Sequence, residues 1–137
     1  MALAFVVTLE KPLAAEPVGA KGANGKALAR ESDKLSFAAR RAGVPAVNEM
    51  LSESREKLVA QLVAEGFDPA KVRVPPEQWF DAAAGLRTVR GLIAFVSANL
   101  NDFKQPNPIL RDLKGAEATL AAAEAAGVRF HFTSADV

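Results

Sequence analysis

The segment Pro76–Leu100, PEQWFDAAAGLRTVRGLIAFVSANL, constrains this chain more than any other. Leu86, Val89, Ile93, Val96 and Leu100 recur at spacings of three and four, which is the apolar stripe of a helix. The opposite side carries Ala84, Gly91 and Ala98, flanked by Ala94, and the only charges in the helix body are Arg87 and Arg90. A helix apolar on one side and small on the other accepts neighbours on both, so it is expected to be the central helix of the fold. Asp81 stands where an N-cap is needed. Gly85 and Gly91 each cost about 1 kcal/mol of helix propensity relative to alanine, a cost that close backbone approach justifies.

The flanking elements follow from periodicity. Leu3–Leu9 reads as a strand with Phe5, Val7 and Leu9 on one face. Residues 10–25 hold Pro12, Pro17, Gly19, Gly22 and Asn24-Gly25, and read as a flexible loop. One helix is expected over 26–42, a short one near 45–51, and another from about Ser54 to Glu65 stopped by Gly66. Lys71 to Val74, ahead of Pro75-Pro76, has the makings of a brief extended piece. Asn107-Pro108 is expected to start the last helix, with Ile109, Leu113, Ala116, Leu120 and Ala123 as its stripe and Gly127 as its end. Val128, Phe130 and Phe132 then alternate with Arg129, His131 and Thr133, a half-buried strand. The expected class is α+β: a single domain, 1–137, of four to five helices packed on a small sheet of two or three strands formed by the N- and C-terminal segments. Such a sheet has open edges through which two copies can pair.

Composition excludes several chemistries. Seventeen basic residues face sixteen acidic ones, so the net charge of +1 supplies no field for nucleic acid or an anionic membrane. The chain has no cysteine, which removes disulfides, thiolate nucleophiles and cysteine metal sites. The opening MALAFVVTLEK lacks a basic residue ahead of its short apolar run, so a strand is expected there instead of an export signal, and the protein is expected in the cytoplasm. No apolar run reaches the ~20 residues of a membrane span.

Candidate chemistry is sparse. Ala20–Ala27 approaches a phosphate loop at Gly25-Lys26, but Ala27 replaces the magnesium-binding hydroxyl, so nucleotide hydrolysis is rejected. His131 is the only histidine; without a second histidine or a nucleophile elbow it is expected on the less buried face of the sheet. Arg87 and Arg90 could clamp an anion together with Arg129 and His131. Alternatively, an antiparallel hairpin of the last two helices places Arg90 level with Glu117 as an ion pair. Trp79 and Phe80 are candidates for a partner contact, although a tryptophan before a helix more often packs over its first turns. No carboxylate pair shares an apolar face, so no catalytic residue, metal ligand or cofactor site is assigned.

At Trp79-Phe80-Asp81, Gly85-Leu86 and Thr88-Val89, and again at the closing Gly127-Val128-Arg129-Phe130-His131-Phe132, the chain resembles small uncharacterised bacterial proteins. These carry a tryptophan, a Gly-Leu-x-Thr-Val helix and a Gly-Val-Arg-Trp/Phe-His ending. The resemblance covers about the second half of the chain, which has phenylalanine at 130 where tryptophan is expected. It implies a bacterial source and no particular activity. The expected role is a non-catalytic module for protein–protein contact or self-association. The second reading is a small-molecule or anion-binding protein, or minor enzyme, using His131, Arg129 and a central-helix arginine.

Overall fold

A computed structural model describes residues 3–13 and 24–136. Two seven-residue strands, β1 (Leu3–Leu9) and β2 (Phe130–Asp136), join the two ends of the chain in one antiparallel sheet. The register runs from Leu3 opposite Asp136 to Leu9 opposite Phe130. Between them lie α1 (Lys26–Arg30), α2 (Ser32–Ala42), a 3-10 turn (Val47–Met50), α3 (Arg55–Ala64), α4 (Ala82–Ala98), a second 3-10 turn (Leu100–Asp102) and α5 (Pro106–Ala126). The α+β arrangement is therefore the expected one, with five helices and a two-stranded sheet.

On its other edge β2 is extended by single bridges instead of a third strand. Phe80 and Phe130 exchange two backbone hydrogen bonds, 2.7 and 2.9 Å, and Ser52 N–H donates to the Phe132 carbonyl at 2.9 Å. The expected extended piece at 71–74 is not a strand; the residues that reach the sheet are Leu51 and Phe80. Phe130 and Phe132 are completely buried beneath the helices, their rings edge-to-face at 5.5 Å.

α4 has neighbours on both sides, as its two faces require. Leu86, Val89, Leu92 and Val96 are buried in the core together with Ile109, Leu113, Leu120 and Ala123 of α5. On its small side, Gly91 faces Val44, and the buried Thr88 hydroxyl donates to the Pro45 carbonyl at 2.7 Å. The stripe differs from expectation at two places: Leu92 is fully buried where Ile93 was expected, Ile93 being half-buried, and Leu100 lies beyond the helix and is exposed.

Other boundaries move for identifiable reasons. The single helix expected over 26–42 breaks at Glu31, whose φ of −102° and ψ of 22° turn the chain between α1 and α2. Asp112 on α5 holds α1 in place: its carboxylate accepts from the backbone N–H groups of Asn24 (3.2 Å) and Ala27 (3.0 Å). A buried carboxylate at a helix N-terminus satisfies donors that the helix itself cannot. Gly25 precedes α1 with a φ of 77°, pressed so closely on the Phe5 carbonyl that any Cβ would collide with it. α5 begins with Pro106 in its first turn, two residues ahead of the expected Asn107-Pro108 start. Asp81 occupies the N-cap position of α4 but its side chain makes no capping bond. Most of the expected loop 10–25, and with it the first half of the Ala20–Ala27 segment, lies outside the described residues.

The two glycines of α4 separate two effects. A Cβ at Gly85 would drive into the buried Phe130 ring and come within 3.1 Å of Leu120 Cδ1. At Gly91 it would meet the half-buried Val44 at 3.2 Å and, in ordinary contact at 3.8 Å, Ala42. Alanine gains about 1 kcal/mol of helix propensity at either site, while overpacking a closed core costs about 1–3 kcal/mol. Gly85→Ala is therefore expected to lose about 1–2 kcal/mol in urea unfolding, and Gly91→Ala to be neutral or stabilising. Equal losses at both positions would refute the close-approach account of Gly85.

Candidate functional site

Alternation along β2 turns His131 and Thr133 away from the phenylalanine face. They are nevertheless buried, with His131 only 1% exposed. This corrects the expectation of a histidine on a less buried face. The cover comes from the extended segment before α4. Backbone of period two aims Glu77 and Trp79 at the outer face and Phe80 at the inner one. Trp79 stacks on His131 with ring centroids 4.5 Å apart, and Phe80 approaches Phe130 at 6.3 Å. Trp79 thus packs on the sheet.

The buried polar groups form one chain. His131 Nε2 lies 2.9 Å from a Glu77 carboxylate oxygen, and Nδ1 lies 3.2 Å from the Thr133 hydroxyl and 3.1 Å from the Phe132 carbonyl. The Thr133 and Thr8 hydroxyls are 2.6 Å apart. For neutral imidazole the directions are consistent: Nε2–H donates to Glu77, Thr133 donates to Nδ1, and Thr8 donates to Thr133. For imidazolium, Nδ1–H donates to the Phe132 carbonyl instead. No buried side-chain N or O among the described residues lacks a partner.

Hydroxyl, imidazole and carboxylate in sequence are the parts of a nucleophilic triad. Here the chemistry is blocked by access. Thr133 is 5% exposed, its hydroxyl is held by Thr8 and His131, and none of the main cavities is lined by any member of the chain. The arrangement satisfies a polar strand face and fastens the Glu77–Phe80 segment to β2.

The other sequence candidates lie apart from His131 and from one another. Arg90 Nε donates to Glu117 at 3.2 Å, the expected pair across the α4–α5 hairpin. Arg87 is exposed on α4. Arg129 precedes β2, exposed, and makes a two-pronged pair with Glu10, one bond being Nε to Oε1 at 3.1 Å. The hydrogen bonds and charge of Glu10 raise the Arg129 pKa above its ordinary value; burial opposes this and Asp81 adds to it. These arginines surround no common cavity with His131. No group of three or more histidine, cysteine or acidic side chains suited to a metal occurs among the described residues. No described helix is long and apolar enough to cross a membrane.

A different feature stands out between Ser52 and Gln78. Gln78 N–H donates to Ser52 Oγ at 2.8 Å and closes the neck of an arm, residues 53–76, that contains α3. Ser54 caps α3 by accepting from Lys57 N–H at 3.2 Å. Its apolar residues Leu58, Val59, Leu62 and Val63 lead to Phe67 and Val72, yet α3 has no buried residue. Val63, Phe67 and Val72 are 58%, 55% and 37% exposed. Sequence reasoning found this helix but not its isolation, because periodicity reports a face to be covered and not what covers it.

No protein-family model, curated protein or solved structure matches the chain.

Glu77 and the two threonines were missing from the sequence candidates. The two-residue spacing of Glu77 and Trp79 after Pro75-Pro76 could have indicated Glu77, since extended backbone puts both on one side. Glu77→Ala, which leaves the buried Nε2–H without its acceptor, is expected to cost about 1–2 kcal/mol and to shift Trp79 emission to the red. Glu77→Gln keeps an acceptor and is expected to cost less than about 1 kcal/mol. Unchanged emission in Glu77→Ala would show that the clasp does not hold Trp79.

Proposed function

We propose that this protein is a non-catalytic interaction module whose contact element is the arm 53–76. One observation carries the reading: α3 is a helix of 10 residues with apolar side chains and no buried residue. Isolated helices shorter than ~12–15 residues are marginal in water and owe their stability in proteins to packing of an apolar face. Among the described residues Leu58, Val59 and Leu62 are only half-buried, and no residue of α3 belongs to the core. Burying side chains such as Val63 and Phe67 is worth about 1.5–3 kcal/mol each, enough for a partner to decide whether the helix persists. Single exposed apolar residues are ordinary on protein surfaces. Several on one protruding helix and turn are the composition of a contact surface.

The body supports this division of labour. Its core needs no residue of α3, and the neck is closed by bonds of Ser52, Gln78 and Phe80. A near-neutral, cysteine-free chain fits a protein partner in the cytoplasm better than nucleic acid or an anionic membrane.

In-cell photo-crosslinking from a reactive side chain placed at position 67 is expected to give a discrete adduct, lost in Val63→Asp. The same group at the exposed position 87 is expected to give none. Replacing 53–76 by a short glycine–serine bridge should remove the adduct while moving the thermal midpoint by no more than about 4 °C, the equivalent of roughly 1 kcal/mol. Equal labelling from positions 67 and 87 would sink the reading.

A further inference from the structure

We infer that Asn24-Gly25 is a self-modification site, at which the chain's own backbone converts the Asn24 amide to an acid and loosens α1. Water and the chain are the only reactants.

Asn24 is the only one of five asparagines followed by glycine; the others precede Glu49, Leu100, Asp102 and Pro108. A side chain on the following residue crowds its backbone nitrogen, and proline carries no N–H at all. Gly25 offers its nitrogen without either obstacle. Asn24 is exposed, and among the described residues the Gly25 N–H donates to nothing.

The turn brings the reacting groups together. Asn24 Oδ1 accepts from the Lys26 N–H at 2.9 Å, so the side chain is folded forward over the Gly25 peptide. Its Cγ is thereby turned toward the Gly25 nitrogen, and a reaction between held neighbours needs no encounter. The Lys26 N–H also sits on the oxygen that gains negative charge as Cγ is attacked. Lys26, Arg30 and Arg111 line the same hollow as Asn24, about 160 Å³ in volume. Arg30 is also 3.6 Å from Glu31. The one carboxylate in the lining, Asp112, is buried with both oxygens on backbone N–H groups. The surplus of cations favours the anion that forms and the carboxylate that results.

The step balances. The Gly25 nitrogen bonds to Asn24 Cγ, the Cγ–Nδ2 bond breaks, and Nδ2 leaves as ammonia with the Gly25 proton. A water molecule then opens the cyclic imide. Opening at the side-chain carbonyl gives aspartate. Opening at the main-chain carbonyl gives isoaspartate, with an extra carbon in the backbone.

That carbon falls between two anchors of α1. On one side the Asn24 N–H donates to Asp112 at 3.2 Å, and on the other the Gly25 carbonyl accepts from the Phe5 N–H at 3.0 Å. Gly25 has no spare room, since it is already pressed on the Phe5 carbonyl at a φ of 77°. A longer backbone cannot keep both bonds. α1, with its buried Ala27 and Leu28, then loses a mount on α5 or on β1.

The test is incubation of the full chain in mildly alkaline buffer, followed by peptide mass analysis and labelling with an isoaspartate-specific methyltransferase. Position 24 is expected to convert faster in the folded chain than in the same chain unfolded in urea, with the other four asparagines intact. Arg111→Gln is expected to slow conversion about threefold, the effect of one solvent-screened charge. The isoaspartate form should melt about 4 °C lower, as the loss of one such hydrogen bond requires. Asn24→Ser, which keeps an acceptor for the turn and has no amide, should stay unmodified and hold its midpoint. Slower conversion in the folded chain than in urea overturns the site. Conversion without a lower midpoint overturns the loosening of α1.

Discussion

Phe130 carries more of this structure than any other residue. Its backbone pairs with Leu9 on one side and exchanges two hydrogen bonds with Phe80 on the other. Its ring occupies the notch at Gly85 and touches the rings of Phe80 and Phe132. Three distant parts of the chain, β1, the entry to α4 and β2, therefore meet at one residue. Bringing the chain ends together costs loop-closure entropy, which grows only logarithmically with length. A buried phenylalanine contributes about 1.5–3 kcal/mol, and Phe130 and Phe132 together can offset that cost. A glycine at 85 is what lets the ring lie so close to α4.

Burying both faces of so small a sheet creates a polar problem on the outer one. Thr8, His131 and Thr133 cannot be left without partners, since an unsatisfied buried donor costs about 1–3 kcal/mol. Linking them in a single chain that ends on the half-exposed Glu77 solves this. The chain also explains why the segment before α4 is extended: only that backbone delivers Glu77 and Trp79 to the outer face and Phe80 to the inner one. The same residues in an open cleft would be catalytic parts. Here Thr133 is buried and its hydroxyl already engages two partners, the setting of a structural link.

The helices were largely legible in the sequence because each is a local pattern. The stripe of α5 from Ile109 to Ala123 is buried as expected, and Arg90 meets Glu117 across the hairpin. What failed to show was non-local. The anchoring of α1 depends on Asp112, far away in the sequence, which accepts from N–H groups at the start of α1. The burial of His131 depends on Glu77 and Trp79 arriving from another segment. Alternation along β2 correctly divided its residues between two faces, but nothing in β2 says that the second face is covered. Trp79 was recognisable as important, but its contact with His131 of β2 was not, because that neighbour is distant in sequence.

The arm reverses the usual relation between pattern and packing. In α4 and α5 an apolar stripe is answered within the chain, and the core accounts for every large residue of the stripe except those at its ends. In α3 the same kind of residues, with a serine cap already satisfied, join no core cluster of the described residues. A cap contributes about 1 kcal/mol and helix propensity a few tenths per residue, which is too little to overcome the nucleation cost of ten residues alone. The sequence of α3 is consistent with a helix only if some of its apolar area leaves water. The bond at Ser52–Gln78 fixes the root of the arm, and a partner is the cover proposed for that area. The clasp at Glu77 and His131 therefore does more than satisfy a buried imidazole: by fixing the root of the arm, it determines which surface the arm can offer.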